Sequence, residues 1–346
     1  MEVRTIRDCI DKKSNNLNLI KFIAAILVIF SHSFRISRNT MDPLDSFTDG
    51  QISFGGVAVA LFLFASGFYV TKGLFKRKKG VLYFKNRFAR IYPAFVAVII
   101  ATAFIIGPLI SKYSFKEYFG RKDTSLLYIL MIPRYILPGV FEKNPYPGVV
   151  NGSLWTIPLE VICYIGLYIV YVCKFLNKKV LKILNPLLLI GICVIFGFRV
   201  TGIYKYHLYL RPLLIFFMGI QYYIFKDEIK LDRKKALEIL VVAFGLFLLH
   251  WGDIAAIYCF LYLFSMLMFS EKQVSEKIAS LGNYSYAIYL VAFPIQQIFV
   301  SCFGRMDPFT NTLYASICSI LFGIGIYHWI EIPFAKLILQ VGDNKN

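Results

Sequence analysis

The sequence predicts an all-α fold, a polytopic transmembrane helix bundle of about ten spans. Of its 346 residues, 58% are hydrophobic and only 17% are charged, whereas a soluble domain carries roughly 25% charge. Apolar runs long enough to cross a bilayer, about 20 residues each, recur from Leu17 to Leu339. Lys and Arg collect in short clusters between these runs. We therefore expect one continuous membrane domain.

Ten apolar stretches are candidate spans. They cover residues 17–36, 54–74, 88–110, 152–173, 180–199, 208–225, 236–251, 254–270, 282–302 and 312–337. A further apolar stretch at 126–137 is interrupted by Pro133 and Arg134 and followed by Pro138. Because unsatisfied backbone groups are costly in lipid, we expect this stretch to be a re-entrant or interfacial part of an outer loop.

The distribution of basic residues predicts the orientation of the bundle. Three strongly basic loops fall on one side of the ten-span arrangement, and they are 76–87, 174–182 and 226–235. Lys and Arg mark cytoplasmic loops. Residues 1–16 and the tail 338–346 are thus predicted to be cytoplasmic, flanking a domain at 17–337 in the inner (cytoplasmic) membrane. The same rule explains the net charge of +18, so no nucleic-acid partner is needed.

Several features are absent from the sequence, and their absence argues against some functional classes. The seven cysteines have no CxxC spacing, and most lie in apolar stretches, where cysteine acts as a small hydrophobic residue. We expect no disulfide, no metal site and no permanently bound cofactor. The first apolar stretch lacks a following small-residue cleavage site, so it is interpreted as a retained helix. No internal repeat is visible, which argues against a transporter built from inverted halves.

The first span, Leu17–Phe34, contains two residues that lipid should exclude, Lys21 and His32. They are about three helical turns apart and so share one face. His32 is either a helix-end histidine bonded to a carbonyl or a general base that takes a proton from a hydroxyl. Lys21 either extends to the headgroups or meets an anionic ligand. An ionisable residue at membrane depth favours the functional interpretation.

The second span contains small residues that permit close helix packing. Packing is the expected role of Gly55 and Gly56. Ser66 and Gly67 lie deep enough to line a pocket.

Two arginines stand where the third span enters the membrane. Arg87 and Arg90 are three residues apart and share a helix face. Guanidinium groups bind phosphates bidentately, and coenzyme A carries phosphates. The pair is therefore a candidate site for a cytosolic acyl-CoA, whereas the neighbouring lysines at 76–79 are ordinary cytoplasmic charge.

The fourth span begins with the sequence NGSLWTIPLE at 151–160. Asn151 and Ser153 can cap the helix or line an acceptor pocket. Trp155 is either an interfacial aromatic residue or a platform for a sugar ring. Glu160 lies two turns inside the membrane, where it forms a structural ion pair or serves His32 or an acceptor hydroxyl.

Two stretches near the end of the chain carry further polar residues. Ser285 begins the ninth span among several tyrosines. In the last span His328 and Glu331 are close enough for a local hydrogen bond. We expect Ser285 and Glu331 to have structural or secondary roles.

Taken in order, these stretches resemble the acyltransferase-3 family of integral membrane O-acyltransferases. The family's first helix carries an Arg followed, after ten residues, by a His, at the positions of Lys21 and His32. Further matching positions are Phe62–Phe68 with its Ser-Gly-Phe end, Arg87-x-x-Arg90 followed by Tyr92 and Pro93, Asn151–Glu160 with Ile157 for Leu, Leu281–Tyr286, and Glu331-x-Pro-Phe334. The Asn151–Glu160 pattern is typical of O-antigen and exopolysaccharide acetyltransferases. The resemblance covers roughly residues 15 to 337.

The resemblance implies a membrane enzyme that moves an acetyl or other short acyl group from cytosolic acetyl-CoA to a glycan hydroxyl. Lys21, Arg87, Arg90 and Tyr92 would bind the donor. His32, helped by Glu160, would activate the hydroxyl of a cell-envelope or lipid-linked glycan such as lipopolysaccharide, or carry the acetyl group covalently. Lys21 stands where the family has Arg. Lysine keeps the positive charge but lacks the planar guanidinium group, so the two residues are not interchangeable at a bidentate site.

A second interpretation is a proton-coupled transporter or flippase, in which His32, Glu160 and Glu331 form a proton relay. The missing repeat and the arginine pair at the cytosolic mouth argue against it. An inactive scaffold in a glycan assembly complex is disfavoured because the whole set of ionisable residues is retained.

Overall fold

The computed structural model describes residues 4–10, 15–121 and 135–340. Within these ranges the chain is mostly helical, and its sheet consists of two short strands. Most of the apolar stretch predicted at 126–137 to be re-entrant lies outside the described residues. The all-α membrane fold expected from the composition is confirmed at this level.

The strands are β1 (Arg4–Thr5) and β2 (Lys230–Leu231). The helices in chain order are α1 (Ile6–Ile10), α2 (Asn15–Arg38), α3 (Pro43–Phe47), α4 (Phe54–Arg77), α5 (Gly80–Ala101), α6 (Gly107–Ile110), α7 (Phe115–Gly120), α8 (Thr156–Val172), α9 (Lys178–Ile192), α10 (Thr201–Tyr204), α11 (His207–Ile224), α12 (Arg233–Leu248), α13 (Gly252–Ile254), α14 (Phe260–Met268), α15 (Glu276–Ala279), α16 (Ser285–Phe303), α17 (Pro308–Ile326) and α18 (Ile332–Gln340). Short π-helical or 3-10 turns continue several of them, at Thr102–Ile106, Gly152–Trp155, Cys193–Gly197, Ala255–Cys259, Ser280–Tyr284 and Tyr327–Glu331.

Each of the ten predicted ranges contains helix. In the described residues, seven continuous helical segments are long and apolar enough to cross a membrane: Asn16–Arg38, Phe54–Lys76, Gly80–Ile110, Gly152–Val172, Lys178–Gly197, Glu276–Phe303 and Pro308–Leu339. The segment Gly252–Met268 is apolar but shorter. The predictions of ten crossings and of cytoplasmic termini remain predictions.

The chain forms two compact units, each assembled from three separated segments. Unit 1 comprises 1–24, 43–78 and 159–282, and unit 2 comprises 25–42, 79–158 and 283–346. Helix α2 contributes its first half to unit 1 and its second half, with His32, to unit 2.

In unit 1 the N-terminal segment pairs with a distant loop. Strands β1 and β2 are antiparallel, with Arg4 opposite Leu231. The helix that follows β1 is anchored by Lys72, whose Nζ donates to the Ile10 carbonyl at 2.8 Å. From the neighbouring basic loop, Lys178 forms an ion pair with Glu228 at 3.0 Å. Three segments predicted to lie on one side of the membrane thus meet at one end of this unit.

Helices α4 and α11 of unit 1 pack with their backbones close together. A Cβ added to Gly67 would overlap the carbonyl oxygen of Phe216, and one added to Gly219 would overlap that of Phe64. Because only glycine permits this approach, Gly67 has a packing role. Gly56, expected to pack in this way, lies near its own helix cap, where Ser53 Oγ accepts from its N–H at 3.0 Å.

Unit 2 is organised around α16, which is buried over much of its length. Helix α17 packs on it where Gly323 faces Ile288, and a Cβ there would lie 2.7 Å from that side chain. Helix α5 packs beside it through Tyr286, whose hydroxyl donates to the Ile91 carbonyl at 3.1 Å. These contacts place α16 against both α17 and α5.

Candidate active site

His32 lies on α2 against the aromatic ring of Phe293. The two rings meet edge to face with their centroids 5.2 Å apart. The Nδ1 atom of His32 is buried and has no hydrogen-bond partner among the described residues. The helix-end carbonyl bond, which was the structural alternative for this histidine, is therefore not made through Nδ1. A buried, unpaired ring nitrogen is unusual in a folded protein and is suited to a substrate hydroxyl.

The serines on either side of His32 fix the rotation of α2. Ser31 Oγ donates to Asp42 Oδ2 at 2.5 Å. Ser33 is buried, and its hydroxyl donates to the Ile29 carbonyl at 2.9 Å and accepts from Gln296 Nε2 at 2.6 Å. Turning α2 would break both sets of bonds, so the imidazole ring is held in place.

The Asn151–Ser153 segment is fastened to the same helix as Phe293. Asn151 Nδ2 donates to the Leu290 carbonyl at 2.8 Å, and the hydroxyl of Tyr289 donates to the Ser153 carbonyl at 2.7 Å. A Cβ on Gly152 would lie 2.7 Å from the ring of Phe293. His32 and the Asn-Gly-Ser turn therefore both lie against Phe293, which brings two separately predicted motifs together.

Ser153 offers a second buried polar atom at this place. Its side chain is fully buried, and its Oγ has no hydrogen-bond partner in the described parts of the chain. Asn151 Oδ1 accepts from the Ser153 N–H at 3.1 Å and so caps the 3-10 turn, whereas the Ser153 hydroxyl makes no capping bond within the described residues. Trp155 ends the same 3-10 turn and is half-buried.

Glu160 belongs to unit 1, where its carboxylate is bonded to hydroxyl groups. Oε1 accepts from Ser66 Oγ at 3.3 Å and from the hydroxyl of Tyr164. The expected structural alternative for Glu160 was an ion pair, and these bonds are instead to neutral donors. Lys21 is half-buried in unit 1. The predicted roles of Glu160 and Lys21 stay predictions.

The arginine pair lies about two to three turns inside α5, which begins at Gly80, and Arg90 has a defined partner. Its Nη1 lies 2.7 Å from Glu331 Oε2, and its guanidinium lies over the ring of Tyr286 at 5.1 Å. Glu331 is buried and sits in the π-helical turn Tyr327–Glu331. Such turns are frequent at functional sites.

The other residues around this ion pair are held by local contacts. Tyr92 stacks on Phe88 with ring centroids 4.4 Å apart. Ser285 is buried at the start of α16, and Arg87 is half-buried. The hydroxyl of Tyr284 lies 3.4 Å from His328 Nε2. Glu331 thus extends toward α5 and pairs there with Arg90.

Sequence reasoning missed the part of the site that α16 contributes. Phe293 was not singled out, nor were the buried amides of Gln296, Asn311 and Gln297. Gln296 Nε2 also lies 3.1 Å from Asn311 Oδ1, which joins α16 to α17. The available signal was the pair of adjacent glutamines inside an apolar span, because buried polar groups there are costly and usually bonded.

The described residues contain no group of three or more His, Cys, Asp or Glu side chains that could hold a metal ion. The polar groups that line the site are one imidazole, hydroxyls and amides. Their chemistry is proton transfer and hydrogen bonding to a hydroxyl or carbonyl.

Comparison with known proteins agrees with this chemistry. The acyltransferase domain of the acyltransferase-3 family matches residues 14–328. The chain belongs to this family. It is accordingly an acyltransferase with several membrane-spanning helices, as its sequence motifs predicted.

Two curated relatives were found. The O-acetyl transferase of Shigella phage Sf6 is 27% identical over 301 residues, which covers 84% of this chain and 86% of the relative. Nodulation protein 10 of Rhizobium leguminosarum bv. viciae is 30% identical over 167 residues, covering 44% of this chain and 43% of the relative. No solved structure matches the chain.

Proposed function

We propose that this acyltransferase moves an acetyl group, or another short acyl group, from acyl-CoA to a hydroxyl of a cell-envelope or lipid-linked glycan at the inner membrane. The observation that carries the proposal is a pair of buried, unbonded polar atoms, His32 Nδ1 and Ser153 Oγ, in two segments that both lie against Phe293. The similarity to an O-acetyl transferase over most of both chains supports the choice of acyl group and acceptor atom.

The reaction needs one base and a place for one leaving group. His32 accepts the proton of the sugar hydroxyl as its oxygen attacks the thioester carbonyl carbon. The C–S bond of the tetrahedral intermediate then breaks, and the coenzyme A thiolate takes a proton from the imidazolium. The products are the sugar O-acetyl ester and free coenzyme A. Ser153 can donate a hydrogen bond to the oxyanion of the intermediate.

Residues of unit 2 give the donor an approach along α16. Tyr286 contacts Arg90 and Phe293 contacts His32. These two positions on α16 are seven residues apart, which is about two turns or 10 Å along the axis. Arg87 and Arg90 would bind the coenzyme A phosphates while the acyl group extends toward His32. Tyr92 and Lys21 complete the proposed donor set.

The remaining predicted residues fit acceptor binding. Asn151 and Trp155 lie on the turn that holds Ser153, and Trp155 offers a ring face of the kind that sugars stack on. In unit 1, Ser66 and Glu160 form a hydroxyl–carboxylate group that we assign to acceptor binding or to support of the base. We propose no permanently bound cofactor.

Two variants test the base assignment. In membranes carrying His32→Ala, acetyl transfer from labelled acetyl-CoA to the surface glycan should fall by about 10²- to 10⁴-fold, the usual contribution of a general base. Ser153→Ala should lower the rate without lowering stability, because its hydroxyl bonds to no described residue. Acetyl-CoA binding should persist in both variants. Undiminished transfer by well-expressed His32→Ala protein would refute the proposed mechanism.

A further inference from the structure

The outer-loop pocket lies in unit 2 between the end of the α5–α6 segment and the start of α8. It encloses about 470 Å³ and is open to the outside, within the usual range for a small-molecule site. The side chains that matter are Tyr113, Arg121, Tyr135 and Glu142, with Gly139 and Gly148 in the wall. The sequence motifs and the proposed chemistry leave this pocket unassigned.

We propose that the outer-loop pocket binds a saccharide unit of the acceptor glycan. This inference rests on the proposed O-acyl transfer and adds the place where the acceptor is recognised.

The wall of the pocket combines ring faces with charged hydrogen-bonding groups. The Arg121 guanidinium lies 4.3 Å from the centre of the Tyr113 ring, which holds this long side chain at the rim. Glu142 is held by Lys112, whose Nζ lies 2.6 Å from Oε2. A sugar presents apolar C–H faces and hydroxyls, so it suits tyrosine rings beside a planar donor and a carboxylate acceptor.

Two glycines shape the wall. Gly139 has a φ of +70°, and a Cβ there would lie 2.7 Å from Ser111 Oγ and 2.8 Å from the Tyr113 ring. The backbone is fixed at this point because Lys112 N–H donates to the Gly139 carbonyl at 3.0 Å. Gly148, with a φ of +74°, has open space where a side chain would project. The pocket is therefore built on fixed backbone and left clear at its edge.

The loop below the pocket is fastened directly to the His32 site. Gln297 Nε2 donates to the carbonyls of Tyr146 and Val149, at 2.9 and 2.8 Å. The Tyr146 ring lies edge to face with Phe293, their centroids 6.4 Å apart. Phe293 is the residue that contacts His32. One aromatic side chain thus separates the loop from the proposed base.

This arrangement gives the two substrates separate approaches. The arginine pair lies in the first half of α5, and the outer-loop pocket is beyond the end of the same helical segment. A sugar held in the pocket could present the next unit of its chain to His32 while the donor arrives from the arginine end.

The test uses the full-length protein in detergent, with labelled acetyl-CoA as donor. The acceptor probe is the host surface polysaccharide after removal of its O-acetyl groups with mild alkali. The variants are Tyr113→Leu and Arg121→Met. The matched control is Lys143→Met, an exposed cation of the same loop that does not line the pocket.

Both variants should raise the KM for polysaccharide by about tenfold or more, the effect of losing one charged hydrogen bond or stacked ring. Their kcat and their KM for acetyl-CoA should stay within about twofold of the control, since neither touches His32 or the donor set. Arg121 is exposed, so Arg121→Met keeps the test valid if Tyr113→Leu fails to fold.

Three other outcomes would overturn the inference. The variants could have the same KM for polysaccharide as Lys143→Met. Their defect could appear in kcat or in the KM for acetyl-CoA. Free inorganic phosphate could bind in the pocket where polysaccharide does not. Failure of the proposed function would look different, because the unsubstituted protein would then transfer no acetyl group to the polysaccharide.

Discussion

The ion pair between Arg90 and Glu331 allows two roles of Arg90 to be tested. Arg90 is proposed to bind the donor, yet the structure shows it neutralising a carboxylate whose side chain is only 6% exposed. Arg90→Met would leave that carboxylate buried without its cation. Removing one partner of a buried pair typically costs about 3–5 kcal/mol, because the remaining charge is uncompensated.

In a double-mutant cycle of Arg90 and Glu331, the unfolding midpoint and the binding of acetyl-CoA should change differently. For a chain of this size, Arg90→Met should lower the unfolding midpoint by about 5 °C. Glu331→Gln should lower it less, because the arginine that it leaves is 40% exposed. The double variant should recover most of this loss, because it leaves no buried charge. It should still bind acetyl-CoA poorly, since the guanidinium is gone.

The assay is thermal unfolding of purified protein in one detergent, run beside equilibrium binding of labelled acetyl-CoA. Arg87→Met serves as the comparison, because Arg87 belongs to the same proposed donor site. If Arg90→Met unfolds at the same midpoint as the unsubstituted protein, the ion pair does not stabilise this packing. If the double variant binds acetyl-CoA normally, Arg90 is not a donor-binding residue.

Two further predictions concern unit 1. Gly67→Ala should cost about 1–3 kcal/mol of stability or more, because its methyl group would force α4 and α11 apart. Gly73→Ala on the same helix is the control and should cost little, because nothing lies within 4 Å of its added Cβ. Equal unfolding midpoints for the two variants would refute the close packing. Hydrogen bonds from Lys178 and then Lys182 lower the pKa of Glu228 from 4.5, so its stabilising contribution is present above that pH and lost as the pH falls through the lowered pKa. Glu228→Gln should therefore flatten the acid limb of a plot of unfolding midpoint against pH, and an unchanged limb would contradict this.

The helices could be predicted from the sequence because a local pattern of residues indicates each one. Apolar length and the basic loops gave helix in every predicted range, and the motif order gave the family. Local patterns do not carry the contacts between distant segments. The pairing of Arg90 with Glu331 joins residues 241 positions apart, and no periodicity within either helix points to it.

The His32 site shows the same limit. The sequence identified His32 and Ser153 separately, as ionisable or capping residues at membrane depth. Their common neighbour, Phe293, is one of 33 phenylalanines and carries no local mark of its role. Glu160 was predicted to serve His32 or an acceptor hydroxyl, and this role stays a prediction. The structure adds that its carboxylate accepts hydrogen bonds from Ser66 and Tyr164. The sequence singled out Ser66 as a pocket residue, but no local pattern connected it to a carboxylate 94 positions away.

The pairing of β1 with β2 has a consequence for biogenesis. Arg4 and Thr5 are synthesised roughly two hundred residues before the strand that completes their sheet, which at about 5–20 residues per second means a wait on the order of ten to forty seconds. During that time Ile6, Cys9 and Ile10, which end up buried, have no β2 loop to pack beside. The order of synthesis thus makes β1 and α1 some of the last elements to fold.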